Sequence, residues 1–242
     1  MTKRVLYDLA GQDPERRFSP YCWRIKFALR HKGLAFETVA WRFTDRDAIA
    51  FSGQGKVPVL VDGEQVVYDS WKIAEYLEST YPDAPTLFGG EAGKSLTQFV
   101  AAWVDTILLP AVSPLILVDI PPLLDAGDRD YFRQSREARF GVTLEALCQN
   151  REERVMAFRQ SLLPLRRMLA DHEFLCGSEP GYADYCVFSA FQWARCVSAF
   201  ALITDDDVVA QWGARMLGLF DGMAGAAPGF ALTGGQGESI AL

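Results

Sequence analysis

Hydrophobic and polar positions along this chain follow two patterns, one up to residue 82 and another after it. Arg4–Leu9 alternates as a half-buried strand does, and Ala35–Ala40 reads as a second strand. Val57–Val61 and Gln65–Tyr68 pair as a hairpin, with Asp62-Gly63 as the turn signal. Thr44–Phe51 is a short helical or irregular link. Asp69-Ser70 opens an amphipathic helix that turns Ile73, Ala74 and Leu77 inward and stops before Pro82. The predicted order is β-α-β, a link, then β-β-α.

Beyond Pro82 the period changes. Pro82, Pro85, Gly89, Gly90 and Gly93 give the stretch from Pro82 to about Lys94 the composition of a linker. Val155, Phe158, Leu162, Leu165 and Leu169 then recur at steps of three and four, and Val187, Phe191, Ala194 and Val197 nearly do the same. Asp207–Met223 predicts another helix. Asp128 is the expected cap of a helix starting at Arg129, and Pro164 is expected to bend or break its own. The expected architecture is α/β plus all-α, with an α/β domain over 1–82, a linker over 83–94 and a helical domain over 95–242.

Residues 19–33 carry the most pointed local chemistry. Ser19 is a favoured N-cap, and Pro20 follows with φ preset and no N–H to leave unpaired. Ile25, Ala28 and Leu29 form an apolar stripe, and Gly33 stands where a left-handed residue closes a helix. Unpaired N–H groups and the positive end of the helix dipole therefore converge beside the Ser19 hydroxyl, where an anion is stabilised.

Composition narrows the partners. The 242 residues carry a net charge of −7, which argues against nucleic acid, whose binding leans on clustered Lys and Arg. The longest apolar run, Thr106–Ile120, is interrupted by Pro110 and Pro114, so no membrane span is expected. Met1-Thr2-Lys3-Arg4 leads directly into a strand, which does not read as a signal peptide. Five cysteines, Cys22, Cys148, Cys176, Cys186 and Cys196, form no CxxC pair and favour a reducing cytoplasm. The two histidines, His31 and His172, lie too far apart for ligand spacing, and no metal site is expected.

Four signals in order carry a resemblance: Ser19-Pro20-Tyr21-Cys22-Trp23-Arg24, Gly55-Lys56-Val57-Pro58-Val59-Leu60, Asp69-Ser70, and Tyr182-Ala183-Asp184. Together they resemble the cytosolic glutathione transferases of the serine type, with a thioredoxin-like N-terminal domain and a helical-bundle C-terminal domain. Asp69-Ser70-Trp71, the segment Asp130–Glu137 and Gly181-Tyr182-Ala183-Asp184-Tyr185 are similar to the bacterial lignin β-aryl-etherase, or fungal etherase-like, branch.

The resemblance implies a glutathione co-substrate and transfer of its thiolate to a hydrophobic aromatic electrophile, extending to cleavage of β-aryl ethers. It assigns Ser19 to the thiolate, since a hydroxyl donating to sulfur favours the charged form. Glutathione contacts fall to Lys56, Val57, Pro58, Asp69 and Ser70, with a cis bond before Pro58 and with Arg42 and Gln54 as helpers. Trp23, Phe99, Trp103 and Ile107 are the expected electrophile pocket, joined by Leu108, Tyr7 and Leu9. A homodimer is implied as well. Asp184 would be structural, in a capping box whose hydroxyl residue is replaced here by Gly181. Two other readings stay open: a non-catalytic glutathione-transferase-like binding module, and a glutathione-linked thiol reductase using Cys22.

Overall fold

The computed structural model describes residues 3–234. β1 (Arg4–Leu9) takes the centre of a four-stranded sheet in the order β2-β1-β3-β4, with β2 (Glu37–Trp41) parallel to it. β3 (Val59–Asp62) and β4 (Gln65–Tyr68) run antiparallel as a hairpin turned by Asp62-Gly63, where Gly63 has a positive φ of 61°. α1 (Pro20–His31) connects β1 to β2, and α2 (Ser70–Thr80) follows the hairpin. The predicted order of elements is the observed one. The strand expected over Val57–Val61 begins at Val59 instead, which leaves Val57 outside the ladder.

Both helices of this domain start on a side-chain cap. Ser19 Oγ accepts from Cys22 N at 3.3 Å, and Asp69 Oδ1 accepts from Trp71 N and Lys72 N at 3.0 and 3.1 Å. Gly33 takes φ 67° just beyond the end of α1.

The second domain is helical. α3 (Glu91–Trp103), a π-helical turn (Val104–Leu108) and α4 (Leu109–Ile116) continue into a 3-10 turn at Asp119 as one run of 29 residues. Pro110 and Pro114 do not interrupt it, contrary to expectation. The π turn opens the hydrogen-bond ladder by one residue just ahead of Pro110, where the proline ring needs the space. The run is apolar and long enough by composition to cross a bilayer, with mean hydropathy 1.8, but half of that window is buried inside the protein, where the run packs on the later helices.

α5 (Ala126–Phe140), α6 (Leu144–Leu147), α7 (Arg151–Ser161), α8 (Leu163–Asp171), α9 (Tyr182–Val197) and α10 (Val208–Gly222) complete the domain. Pro164 falls in the first turn of α8, so it marks a break, where a missing N–H costs little. α5 begins earlier than expected, because its cap is Asp125, whose Oδ1 accepts from Asp128 N at 3.0 Å. Asp128 is instead buried and turned to the first domain. Its carboxylate accepts from Phe43 N, Thr44 N and Thr44 Oγ1 at 2.9, 2.9 and 2.7 Å.

α9 is the axis of the molecule: every residue but Trp193 and Arg195 is buried. It packs on α1, where the Phe27 ring stacks on Tyr185 at 5.2 Å and meets Phe188 edge-on at 5.7 Å. His31 continues this contact, with Nδ1 2.6 Å from the Tyr185 hydroxyl and Nε2 3.0 Å from the Thr86 carbonyl. At the start of α9, Asp184 accepts from the backbone N–H of Gly181, Leu175 and Cys176 and from Trp212 Nε1. A Cβ at Gly181 would lie 2.6 Å from Cys176 Sγ, which explains why no hydroxyl residue completes the capping box.

Candidate functional site

A cavity of about 370 Å³ opens between the two domains. From the first domain Leu9, Phe18, Ser19, Pro20, Tyr21, Trp41, Phe43, Gly55, Lys56 and Val57 line it. The helical run contributes Asp105, Leu109, Ser113 and Leu117, a stripe of four-residue steps that shares one helix face. α5 supplies Tyr131, Phe132, Arg136, Arg139 and Phe140, and α9 supplies Trp193.

Ser19 sits where three effects add. It is 5% exposed, caps α1, and spends one acceptor position on Cys22 N, leaving its O–H free to donate. The first-turn N–H groups and the helix dipole point the same way. Lys56 is exposed on the same wall without an acidic partner among the described residues. The Val57–Pro58 bond is cis, and neither backbone polar group of Val57 has a hydrogen bond among the described residues. Ser19, Lys56 and Val57 thus meet at one cavity.

Pro58, Asp69 and Ser70 lie outside the cavity lining. Asp69 is nevertheless close enough for its charge to act on Tyr21, whose phenol is raised by burial, Asp105 and Asp69 against Arg24 and Arg139. Asp69 holds φ 71°, a left-handed backbone that costs a non-glycine residue about 1–3 kcal/mol and that its own capping bonds help to fix. The Ser70 carbonyl accepts from the Tyr182 hydroxyl at 2.8 Å, tying this corner to α9.

The expected electrophile pocket needs correction. Phe99 and Ile107 are 72% and 54% exposed, on the outer side of the helical run, and Trp103 packs against the core without reaching the cavity. Phe99, Trp103 and Ile107 also recur at four-residue steps, but they are offset by two residues from the Asp105–Leu117 set and none of them lines the cavity. Leu108 and Tyr7 also lie off the lining, while Leu9 is on it. Trp23 is core: its indole N–H donates to the Arg17 carbonyl at 2.9 Å, and Lys26 Nζ stands 3.3 Å over its ring. Arg42 reaches Asp125 at 3.4 Å, and Gln54 contacts its own loop.

The aromatic wall of Phe43, Tyr131, Phe132, Phe140 and Trp193 was not anticipated. A signal existed, since Phe132, Arg136 and Phe140 recur at i, i+4 and i+8 and so share one face of α5. Phe43 is held in the wall by the Asp128 clamp on its backbone N–H.

Beneath the site is a buried charge pair. Lys26 Nζ is 2.9 Å from Asp8 Oδ2, with both side chains almost fully buried, and Arg17 Nη1 is 4.0 Å from the same oxygen. The pairing is one of charge, because neither Asp8 oxygen receives a well-directed hydrogen bond. Cys22 is fully buried here and does not line the cavity. Burial and the Asp8 charge push its thiol well above the ordinary range, outweighing the pull of the Lys26 charge. A nucleophilic sulfur needs the reverse.

The architecture is thus a thioredoxin-like domain joined to a helical domain with a shared cleft. Two family models match it: the N-terminal domain of glutathione S-transferases over residues 14–85 and their C-terminal domain over residues 95–213. Together these cover most of the chain, which belongs to the glutathione S-transferase family. It is 30% identical over 141 residues to the glutathione S-transferase-like protein ustS of Aspergillus flavus, a match covering 52% of this chain and 50% of that protein. The chain thus spans about half the length of that curated relative.

Among solved structures, a glutathione transferase of Phanerochaete chrysosporium superposes with TM-score 0.73 at 26% identity, covering 91% of this chain and 92% of the other. A glutathione S-transferase of Ceriporiopsis subvermispora, solved in complex with glutathione, gives TM-score 0.77 at 24% identity, over 93% and 99%. At that identity the second likeness speaks of fold alone.

Proposed function

We propose that this chain is a serine-type glutathione transferase that binds glutathione in the interdomain cleft and delivers its thiolate to an aromatic electrophile. The observation that carries the reading is the Ser19 hydroxyl, free to donate, at the capped N-terminus of α1 and on the wall of a cavity shared with Lys56 and Val57. In this reading the thiol proton leaves to water, and Ser19 donates to the resulting sulfur anion without acting as a base. Val57 pairs its free backbone groups with the cysteinyl unit, and Lys56 meets the glycyl carboxylate. Pro58 shapes that corner. Asp69 and Ser70, at the start of α2, take the γ-glutamyl ammonium and carboxylate.

The aromatic wall opposite Ser19 suits an aryl substrate. For a β-aryl ether, the sulfur–carbon bond forms as the carbon–oxygen bond breaks. The electron pair departs on oxygen as a phenolate, which then takes a proton from water. Exposed Leu96 and Phe99 on α3 support a homodimer through that face, and the five unpaired thiols suit a cytoplasmic setting. The test is turnover: glutathione consumption with aryl ethers and with a halogenated aromatic acceptor, in wild type and Ser19→Ala. The expected result is loss of both activities in the variant. Glutathione that neither binds nor is consumed overturns the reading.

A further inference from the structure

One half-buried guanidinium in the cleft is left without a counter-charge among the described residues. Arg136 is half-buried on the α5 face that lines the cavity, and its guanidinium lies 4.7 Å from the Phe132 ring centre and 5.3 Å from that of Phe43. Its hydrogen bond runs from Nη1 to the neighbouring Ser135 hydroxyl at 2.9 Å. No carboxylate among the described residues reaches it.

The other buried or half-buried arginines are answered by carboxylates or by backbone carbonyls, as Arg159 is by Ala201 and Leu202 and Arg195 is by Ala224, Gly225 and Ala227. Arg24 meets Asp105 at 2.6 Å, Arg151 meets Asp119, Arg166 meets Asp207 and Arg4 meets Asp62. The acidic groups near Arg136 are already engaged. Arg133 holds Glu137 and Glu145, Asp128 faces the Phe43–Thr44 backbone, and Asp105, which lines the same cavity, is taken by Arg24. What does lie beside Arg136 is a like charge, Arg139, and both burial and Arg139 lower its guanidinium from the ordinary value.

A protein of net charge −7 thus concentrates uncompensated positive charge on one aromatic wall. Holding it there is unfavourable unless something anionic enters. A guanidinium stacked between rings keeps its N–H edge free for two parallel bonds to an oxyanion.

We propose that Arg136 is a specificity-determining residue that selects aromatic ligands carrying an anionic oxygen, a carboxylate or a phenolate, with Phe43, Phe132 and Tyr131 gripping the ring. The division of the cleft into a glutathione half and an aryl half rests on the transferase reading, whereas the unanswered charge of Arg136 does not.

The test therefore omits glutathione. Quenching of tryptophan fluorescence, with Trp41 and Trp193 on the lining, reports binding of 2-naphthoate against methyl 2-naphthoate. A parallel arm in mildly alkaline buffer compares 4-nitrophenolate with 4-nitroanisole. Wild type is expected to bind one anion about tenfold more tightly than its neutral counterpart, and the arm showing this identifies carboxylate or phenolate as the source. Arg136→Gln is expected to abolish the preference with the melting temperature unchanged, and Arg136→Lys to restore part of it. Equal binding of anion and neutral partner in both arms overturns the proposal, as does a preference that survives Arg136→Gln. Failure of glutathione binding in a separate titration counts against the transferase reading alone.

Discussion

Replacing Ser19 separates its two duties, because alanine and glycine remove the same hydroxyl but cap differently. As a cap, Ser19 receives the Cys22 N–H at 3.3 Å, and its replacement by alanine costs about 1 kcal/mol of stability, by glycine only a few tenths. As a donor to bound sulfur it makes a hydrogen bond to a charged group, worth about 1.5–3 kcal/mol. At 1.36 kcal/mol per pKa unit, its loss raises the bound thiol by about 1–2 units. Free glutathione ionises near the ordinary cysteine value of about 8.5, so a return to that value from one to two units below it cuts the thiolate fraction at pH 7 by about 8- to 25-fold. The assay is a thiolate absorbance titration of the glutathione complex, paired with urea unfolding. Ser19→Ala and Ser19→Gly are expected to share the raised pKa, while only the alanine variant loses stability. An unperturbed thiol titration in both variants refutes the role assigned to Ser19, and equal destabilisation refutes the cap argument.

Three further outcomes follow from the same structure. Asp128→Ala strands three donors of the Phe43–Thr44 segment and is expected to lower unfolding free energy by about 3 kcal/mol; a change under about 0.5 kcal/mol in a urea titration contradicts the clamp. His31 is lowered by burial, outweighing the Thr86 carbonyl, so the folded state sheds a proton that the unfolded chain keeps. Its contribution is present above about 6.5 and is lost as pH falls through the folded value, and His31→Gln should flatten that acid-side loss; an unaltered slope contradicts it. Finally, all five thiols should react slowly with a disulfide reagent in the native state. Cys22 is raised by burial and Asp8, Cys186 and Cys196 are pushed by burial to about 12 and about 11, Cys148 is raised by burial, and Cys176 reaches about 12 through partial burial of its sulfur and Asp184. A single fast thiol lost in Cys22→Ala reinstates the reductase reading.

Local grammar explains why the first domain was legible. A cap followed by proline, a closing Gly33 and an Asp-Gly turn each fix backbone within a few residues, so α1, the hairpin and α2 needed no tertiary knowledge. Ser19, Lys56 and Val57 came with those elements and meet at one cavity. The aryl wall was harder because hydrophobicity does not say which way a helix faces. Phe99 and Ile107 are apolar yet exposed, while the cavity took Asp105 and Ser113, polar residues of the other set. The π turn adds a residue inside that run, so no period carried through from α3 into α4 predicts the face. Asp128 misled for a related reason. It lies in the first turn of α5, as a capping carboxylate can, but its partners are Phe43 and Thr44, far away in sequence.

The central claim is that a sulfur anion rests at the amino end of α1, held by the Ser19 hydroxyl. A crystal structure of the protein soaked with glutathione tests it most directly. The account predicts the sulfur within hydrogen-bond reach of Ser19 Oγ, the cysteinyl backbone against Val57 and the glycyl carboxylate at Lys56. A tripeptide whose sulfur points away from Ser19, or a cleft that stays empty at saturating glutathione, contradicts it.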